Sequence, residues 1–355
     1  MQSRKLAAQC CPTFSTVWLR PRPRSGPRAD SLTCRRFVAR RIFIDVAFAN
    51  GPPSNCLVPG ELELIEWIAA RQAAGGLVRV AAGDDLAVLD FPGGELLLVG
   101  VDQVLDGVHF DSSVHDPQQI GRKVMNRNLS DCAAMACLPA AAVATVALPR
   151  GTSMDYARDL YAGMKEAAEA FSCAIVGGDT AAWDGKLVLT VSILGRSAGI
   201  APVLRKGARA GDLLCVTGPL GGSLLGRHMD FAPRIELART LAATGNVAAM
   251  IDISDGLSRD LGHLCKASGV GAVVRADALP VHADAVALSQ RDGVMPLDHA
   301  LHDGEDHELL LAWRLDSPPP PPLMRIGSFT SEAGIWLEQH GRRRTLEPGG
   351  WEHSF

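Results

Sequence analysis

The residues best suited to chemistry in this chain are carboxylates set in short motifs that also carry glycine or serine. They are Gly83-Asp84-Asp85, Val101-Asp102, Asn128-Leu129-Ser130-Asp131, Gly177-Gly178-Asp179-Thr180, Asp252-Ile253-Ser254-Asp255-Gly256 and Gly304-Glu305-Asp306. Hard oxygen donors of this kind suit Mg²⁺, which takes one or two carboxylates from a protein while keeping waters and substrate phosphates. So many of them imply several ions around a polyphosphate. That points to nucleotide chemistry without a Walker A loop, because Gly-x-x-x-x-Gly-Lys-Ser/Thr does not occur in the sequence.

Each motif alone has two readings. Gly177-Gly178-Asp179-Thr180 follows an apolar run at 173–176. Its glycines let backbone N–H groups approach a phosphate and its aspartate can hold a metal there, or the stretch is a tight turn. Asp252 and Asp255 flank the start of a helix, where they can bring a metal to a phosphate on the helix N-terminus or merely cap it. Asp131 lies late in a helix whose next turn, Cys132 to Met135, is apolar, implying burial. A buried aspartate without a partner is costly, and a metal is a natural partner. Arg205, ahead of Gly207-Ala208 and Gly211-Asp212, is a phosphate ligand or a surface charge; His109, in Gly107-Val108-His109-Phe110, is a core histidine or a substrate donor. No cysteine or histidine stands out as a covalent nucleophile. The nine cysteines include no Cys-x-x-Cys pair, and the five in the body fall in apolar segments, so reduced, structural thiols in the cytoplasm are expected.

The elements that must position these groups begin at Gly60. Residues 1–44 carry ten Lys/Arg against Asp30, which leaves −13 of the formal net charge of −4 on the rest. With its prolines, the segment 1–56 reads as a disordered tail, transit-like or a start placed too early. An acidic body argues against nucleic acid as a partner, and no apolar stretch approaches the roughly 20 residues of a membrane helix. Helices are expected over 61–74, 117–135, 153–171, 234–243, 257–268 and 281–289, with Ser153 as a cap. Strands are expected over 86–91 and 95–101, about a Pro92-Gly93-Gly94 turn, and over 140–148, 173–176, 187–194, 213–217, 248–253, 272–276, 308–313 and 335–338, with a short helix after the glycine-rich turn Gly218–Ser223. The mixture predicts an α/β and α+β chain with two domains, 57–199 binding ATP and Mg²⁺ and 200–355 of α+β type.

Taken in order, the motifs resemble the thiamine-monophosphate kinase family of the wider aminoimidazole ribonucleotide synthetase-like group. The resemblance runs from about Gly60 to the C-terminus. It adds Arg205-x-Gly207-Ala208-x-x-Gly211-Asp212 and Gly304-Glu305-Asp306-x-Glu308-Leu309 to the motifs above. It implies an N-terminal sheet domain that forms a homodimer and a C-terminal α+β domain closing a cleft. It also implies Asp85, Asp102, Asp131, Asp179, Asp252 and Asp255 as ligands of several Mg²⁺ ions. Gly178, Arg205 and Ser254 would be ATP contacts, and His109, Glu305 and Trp351 contacts to the substrate, Trp351 lying over the cationic thiazolium. The implied activity is direct in-line transfer of the ATP γ-phosphoryl to thiamine monophosphate. The chain departs from the family at Gly100-Val101, where hydroxyl residues are usual, at Ala136, at His307 and in a short 226–233 segment. Two alternatives are a sister ATP-dependent enzyme with another phosphorylated acceptor and a non-catalytic thiamine phosphate or ATP binder.

Overall fold

The computed structural model describes Trp67, Ala70, Arg71, 78–80, 88–89 and 96–351. The segment 1–56, most of the helix expected over 61–74, and Gly83-Asp84-Asp85 with the candidate ligand Asp85 lie outside the described residues. Strands β1 (Val78–Val80) and β2 (Val88–Leu89) pair antiparallel. A four-stranded sheet follows in the order β3 (Leu97–Leu105), β6 (Val188–Arg196), β4 (Leu138–Pro149), β5 (Ala174–Trp183).

Two helices cover this sheet, and their starts are written in the sequence. Helix α1 (Pro117–Ala134) opens with a capping box, Asp116 accepting from the Gln118 N–H while the Gln119 side chain bonds back to the cap, and Pro117 supplies a ready φ. Helix α2 (Met154–Ala170) is capped by the expected Ser153, which accepts from the Tyr156 N–H. Ile120 and Val124 of α1 and Leu160 and Met164 of α2 pack on Val104, Leu189, Val191 and Ile193 of the sheet.

The second sheet has seven strands in the order β13 (Arg342–Thr345), β12 (Ile335–Gln339), β9 (Gly271–Arg275), β11 (Met324–Thr330), β7 (Leu213–Val216), β10 (Leu309–Trp313), β8 (Val247–Asp252). Strand β10, flanked by β7 and β8, is apolar at every position because both faces are covered. Leu309, Leu311 and Trp313 join the core that includes α1 and α3 (Ile235–Ala243). Leu310 and Ala312 join the core beneath α4 (Leu257–Ser268) and α6 (Pro296–His302). Each such leucine contributes about 1.5–3 kcal/mol on burial. Helix α5 (Ala283–Asp292) lies between β9 and α6 in the chain.

Four expectations are corrected. Strand β3 pairs with β6, not with its sequence neighbour β2, and runs three residues past Asp102 to Leu105. Gly177-Gly178-Asp179-Thr180 is not a turn but the interior of β5, paired with Val143 to Val146 of β4. Glycine is needed there for closeness rather than for a turn, since a Cβ on Gly178 would run into the Ala144 carbonyl. Helix α6 and strands β11 and β13 were not expected. The 3-10 turns Ser223–Leu225 and Arg227–Met229 replace the short helix expected after the Gly218–Ser223 turn. Gly178→Ala is expected to cost about 1–3 kcal/mol in urea unfolding through overpacking between β4 and β5.

Candidate functional site

The turn after β3, the C-terminal half of α1, the β8–α4 junction and residues 303–305 meet around one open cleft of about 520 Å³. It is lined by Val108, His109, Arg127, Leu224, Ser254, Asp255, Asp303, Glu305 and Trp351. All three expected substrate contacts, His109, Glu305 and Trp351, are therefore brought together with Ser254 and Asp255. The His109 ring is set by the backbone, its Nδ1 accepting from the Leu105 N–H at 3.1 Å. Trp351 is tied to the site through its N–H, which donates to the Asp255 carbonyl at 3.0 Å.

Residues 304–307 hold the cleft floor in a left-handed run: φ is +75° at Gly304, +49° at Glu305 and +50° at His307. Such backbone costs of order 1–3 kcal/mol per non-glycine residue and persists only where neighbours fix it. Here Glu305 N donates to the Ser254 carbonyl at 2.7 Å and His307 N to the Ile253 carbonyl at 2.8 Å. At Gly304 a Cβ would come 2.7 Å from the Ser254 carbonyl, so the position has no room for a side chain. The result sends three adjacent side chains to three tasks. Glu305 faces the cleft, Asp306 accepts from the Gly221 N–H and Arg227, and His307 turns to Asp252.

Asp252 is buried, and its Oδ2 accepts from Ser130 Oγ at 2.6 Å and lies 3.3 Å from His307 Nδ1. Burial pushes its pKa upward, but the bonds from His307 and Ser130 outweigh that and hold it ionised. The Asp131 carboxyl keeps solvent access, yet desolvation and then the charges of Asp252 and Asp102 push it up to about 8. Asp255 is raised by burial, against the pull of Arg127. Asp102, Asp131, Asp252 and Asp255 thus form a crowded set of oxygen donors whose mutual repulsion a divalent cation would relieve. The donor chemistry and the raised Asp131 fit Mg²⁺. Gly100 stands beside this set, since a Cβ there would lie 3.9 Å from Asp131 Oδ2.

The closest carboxylate–histidine trio among the described residues, Asp255, Asp260 and His263, is not the set expected from sequence. Asp260 is engaged otherwise: one oxygen accepts from the N–H groups of Ser254 and Asp255, both at 3.1 Å. It shapes the loop that presents them.

Asp179 and Gly178 are not brought to the cleft. They sit on β5, three strands across from Asp102 on β3, which at strand spacing is about 14 Å. Register aligns Asp102 with Val191, Ala144 and Gly178, so Asp179, one residue on, belongs to the opposite face. Arg205 is exposed and close enough to lower the Asp131 pKa.

Sequence reasoning missed the two cations on α1. Lys123 is wholly buried and donates to Glu305 Oε2, with its Nζ 2.8 Å from His228 Nδ1. Arg127 donates from Nε to Asp102 Oδ2 at 2.8 Å and from Nη1 to Glu305 Oε1 at 2.9 Å. The signal was the stripe Lys123, Arg127, Ser130, Asp131, which recurs at i, i+4, i+7 and i+8 on one face of α1. His307 stood out in the sequence only as a departure from the family pattern; its ring stacks on Phe231 at 3.9 Å between centroids.

A pH dependence follows from Asp131. Because its folded pKa is raised, the protonated acid stabilises the metal-free fold, and that contribution is lost as pH rises through about 8. A metal must displace that proton below this pH. The apparent Mg²⁺ affinity, read from the concentration that half-maximally raises the melting temperature, should tighten by up to about tenfold per unit between pH 6 and 8, then level off.

Comparison with known proteins gives a consistent neighbourhood. Residues 83–197 match the AIR synthase related protein, N-terminal domain, and residues 186–312 its C-terminal domain. The chain is 41% identical over 296 residues to the thiamine-monophosphate kinase of Rhodopirellula baltica, spanning 78% of this chain and 91% of that protein. It is 31% identical over 315 residues to that of Aquifex aeolicus, spanning 83% and 98%. The solved thiamine-monophosphate kinase of Stenotrophomonas maltophilia K279a has a TM-score of 0.68 at 31% identity, covering 79% of this chain and 97% of that one. AaThiL complexed with AMPPCP and TMP gives 0.67 at 29%, covering 83% and 97%. The hydrogenase maturation protein HypE of E. coli, at 21% identity and a TM-score of 0.67, shares the fold.

Proposed function

Because the chain belongs to the thiamine-monophosphate kinase family, we infer that it is a kinase transferring the γ-phosphoryl of ATP to thiamine monophosphate, releasing thiamine diphosphate and ADP. The observation that carries this reading is the cleft, where an aromatic and acidic wall suited to a cationic ring adjoins a cluster of aspartates suited to phosphate-bound ions.

In the transfer, a new bond forms between a phosphate oxygen of thiamine monophosphate and the γ-phosphorus, and the bond from that phosphorus to the β–γ bridging oxygen breaks. A phosphate monoester has a second pKa of about 6, so near neutral pH the attacking oxygen is already anionic and no general base is needed. Catalysis then rests on position and charge. Trp351 and Glu305 would take the thiamine end, with His109 orienting it. Ser254, held by the Asp260-shaped loop at the β8–α4 junction, would contact ATP together with Arg205. Asp102, Asp131, Asp252 and Asp255, with Asp85 and Asp179, would hold Mg²⁺. When bound, those ions supply the positive charge that lets two phosphorylated substrates approach. Ser130 and His307 keep Asp252 ionised and aimed, which a ligand requires.

We place the enzyme in the cytoplasm as a homodimer formed through the open face of the four-stranded sheet. Leu97, Val99 and Val101 are 49%, 69% and 62% exposed on consecutive outward positions of β3, with Val143 of β4 on the same face. Apolar side chains in such a row mark a contact surface. Asp179 faces the same way, so a partner's sheet across this face is the means by which Asp179 would reach an ion site. Val99→Asp should shift the protein to monomer in sedimentation velocity and lower activity with it; a dimer that persists sinks this arrangement.

The defining test supplies ATP, Mg²⁺ and thiamine monophosphate and follows ADP and thiamine diphosphate by chromatography. Equal, Mg²⁺-dependent appearance of both products is expected. ADP without thiamine diphosphate would point to another acceptor. With γ-labelled ATP, label retained on denatured protein would contradict direct transfer.

A further inference from the structure

The cleft holds one unexplained charge. Of its lining residues among those described, three are carboxylates and three are apolar or aromatic, and Arg127 is the only lysine or arginine among them. The substrate inferred above is a cation at its thiazolium end and a dianion at its phosphate end. The aromatic and acidic wall suits the ring. The phosphate, entering the same cleft, meets Asp255, Asp303 and Glu305, which repel it.

Arg127 stands where that repulsion would be offset. It projects from α1 with 13% of its side chain exposed, and it bridges the two halves of the site. Its Nε is 2.8 Å from Asp102 Oδ2 on the ion side, and its Nη1 2.9 Å from Glu305 Oε1 on the substrate side. A guanidinium has five N–H donors, of which these bonds use two, and its planar fork matches a phosphate. Its charge also reaches Asp131, Asp252 and Asp255, lowering the proton affinity of each. Glu305 does not depend on Arg127 alone, because Lys123 and His228 bond to it from the protein side. The guanidinium is therefore not spent on neutralising Glu305.

We propose that Arg127 binds the phosphate of thiamine monophosphate and sets it at the junction between the substrate pocket and the aspartate cluster. The inference rests on the kinase reading and adds a residue to it. Arg127 makes the cleft select a phosphorylated acceptor over free thiamine, and it places the attacking oxygen next to the ion-bound nucleotide.

The test is calorimetric binding of thiamine monophosphate, free thiamine and AMPPCP, with Mg²⁺, to the wild type, Arg127→Met and Arg127→Lys. Circular dichroism checks that each variant is folded. A charge-assisted hydrogen bond to phosphate contributes about 1.5–3 kcal/mol, or about 10–100-fold in affinity. Arg127→Met should lose about that factor for thiamine monophosphate and hold thiamine and AMPPCP within about twofold. Arg127→Lys should recover part of the loss, and in steady state KM for thiamine monophosphate should rise while KM for ATP holds. Equal losses for thiamine and its monophosphate would make Arg127 a support for Glu305 only and overturn the proposal, as would an unchanged affinity for the monophosphate. A wild type that binds no thiamine monophosphate overturns the kinase reading itself, which is a separate outcome.

Discussion

Asp131→Asn is expected to lower turnover about a thousand-fold, a loss of about 4 kcal/mol in transition-state stabilisation, while raising the melting temperature of the metal-free protein. The two effects share one cause. Asp131 lies in the last turn of α1 near Asp252 and Asp102, and its pKa of about 8 records what it costs to ionise there. An amide keeps the shape and removes the repulsion, so the empty fold gains. The same exchange weakens an oxygen ligand for Mg²⁺ and leaves the approaching phosphates less neutralised. Opposite signs for stability and activity separate this from misfolding, which would lower both. Activity within about tenfold of wild type, with an unchanged Mg²⁺ requirement, would remove Asp131 from the ion site.

Much of this architecture could be read from the sequence because local rules wrote it. The Asp116 box, Pro117 and Ser153 fixed two helix starts, and helix α4 runs over the expected 257–268. Where the reading failed, the deciding contact was distant. The glycines of 177–178 resemble a turn until β4 is laid beside them. Strand β11 has Gly327 inside it and carries little strand signal; it exists because β7 and β9 flank it. The same holds at the site. The candidate ligands Asp102, Asp131, Asp252 and Asp255 were visible as motifs, whereas Asp303, which lines the cleft, and Asp260, which shapes its loop, were not. Lys123, Arg127 and His228 belong to a helix face and a 3-10 turn with no motif of their own, and their meaning depends on Glu305 arriving from far along the chain.

Glu305→Gln is expected to abolish detectable binding of thiamine monophosphate and to cost about 3–5 kcal/mol of stability at neutral pH, the usual penalty for breaking a buried ion pair from one side. Lys123 has none of its side chain exposed, and burial lowers its pKa while Glu305 is the largest influence raising it. Without that carboxylate the lysine falls further below its unfolded value of about 10.4. Between the two pKa values the folded chain binds fewer protons than the unfolded one, so stability rises with pH there, and the full penalty remains below. In the wild type the lysine is lowered less, so its own rise starts at higher pH, and Glu305 itself adds no dependence in this range. Burial raises its pKa, but His228, Lys123 and Arg127 hold it well below the usual carboxylate range, and its contribution is lost only as pH falls through that low value. The gap between variant and wild type in urea unfolding should therefore narrow from pH 6 to pH 9. Adding Lys123→Met to Glu305→Gln removes the stranded charge and should return most of the stability without returning binding. A gap that does not change with pH, or a double variant no more stable than the single one, would mean that Glu305 is held by the left-handed loop and not by the charge beneath it.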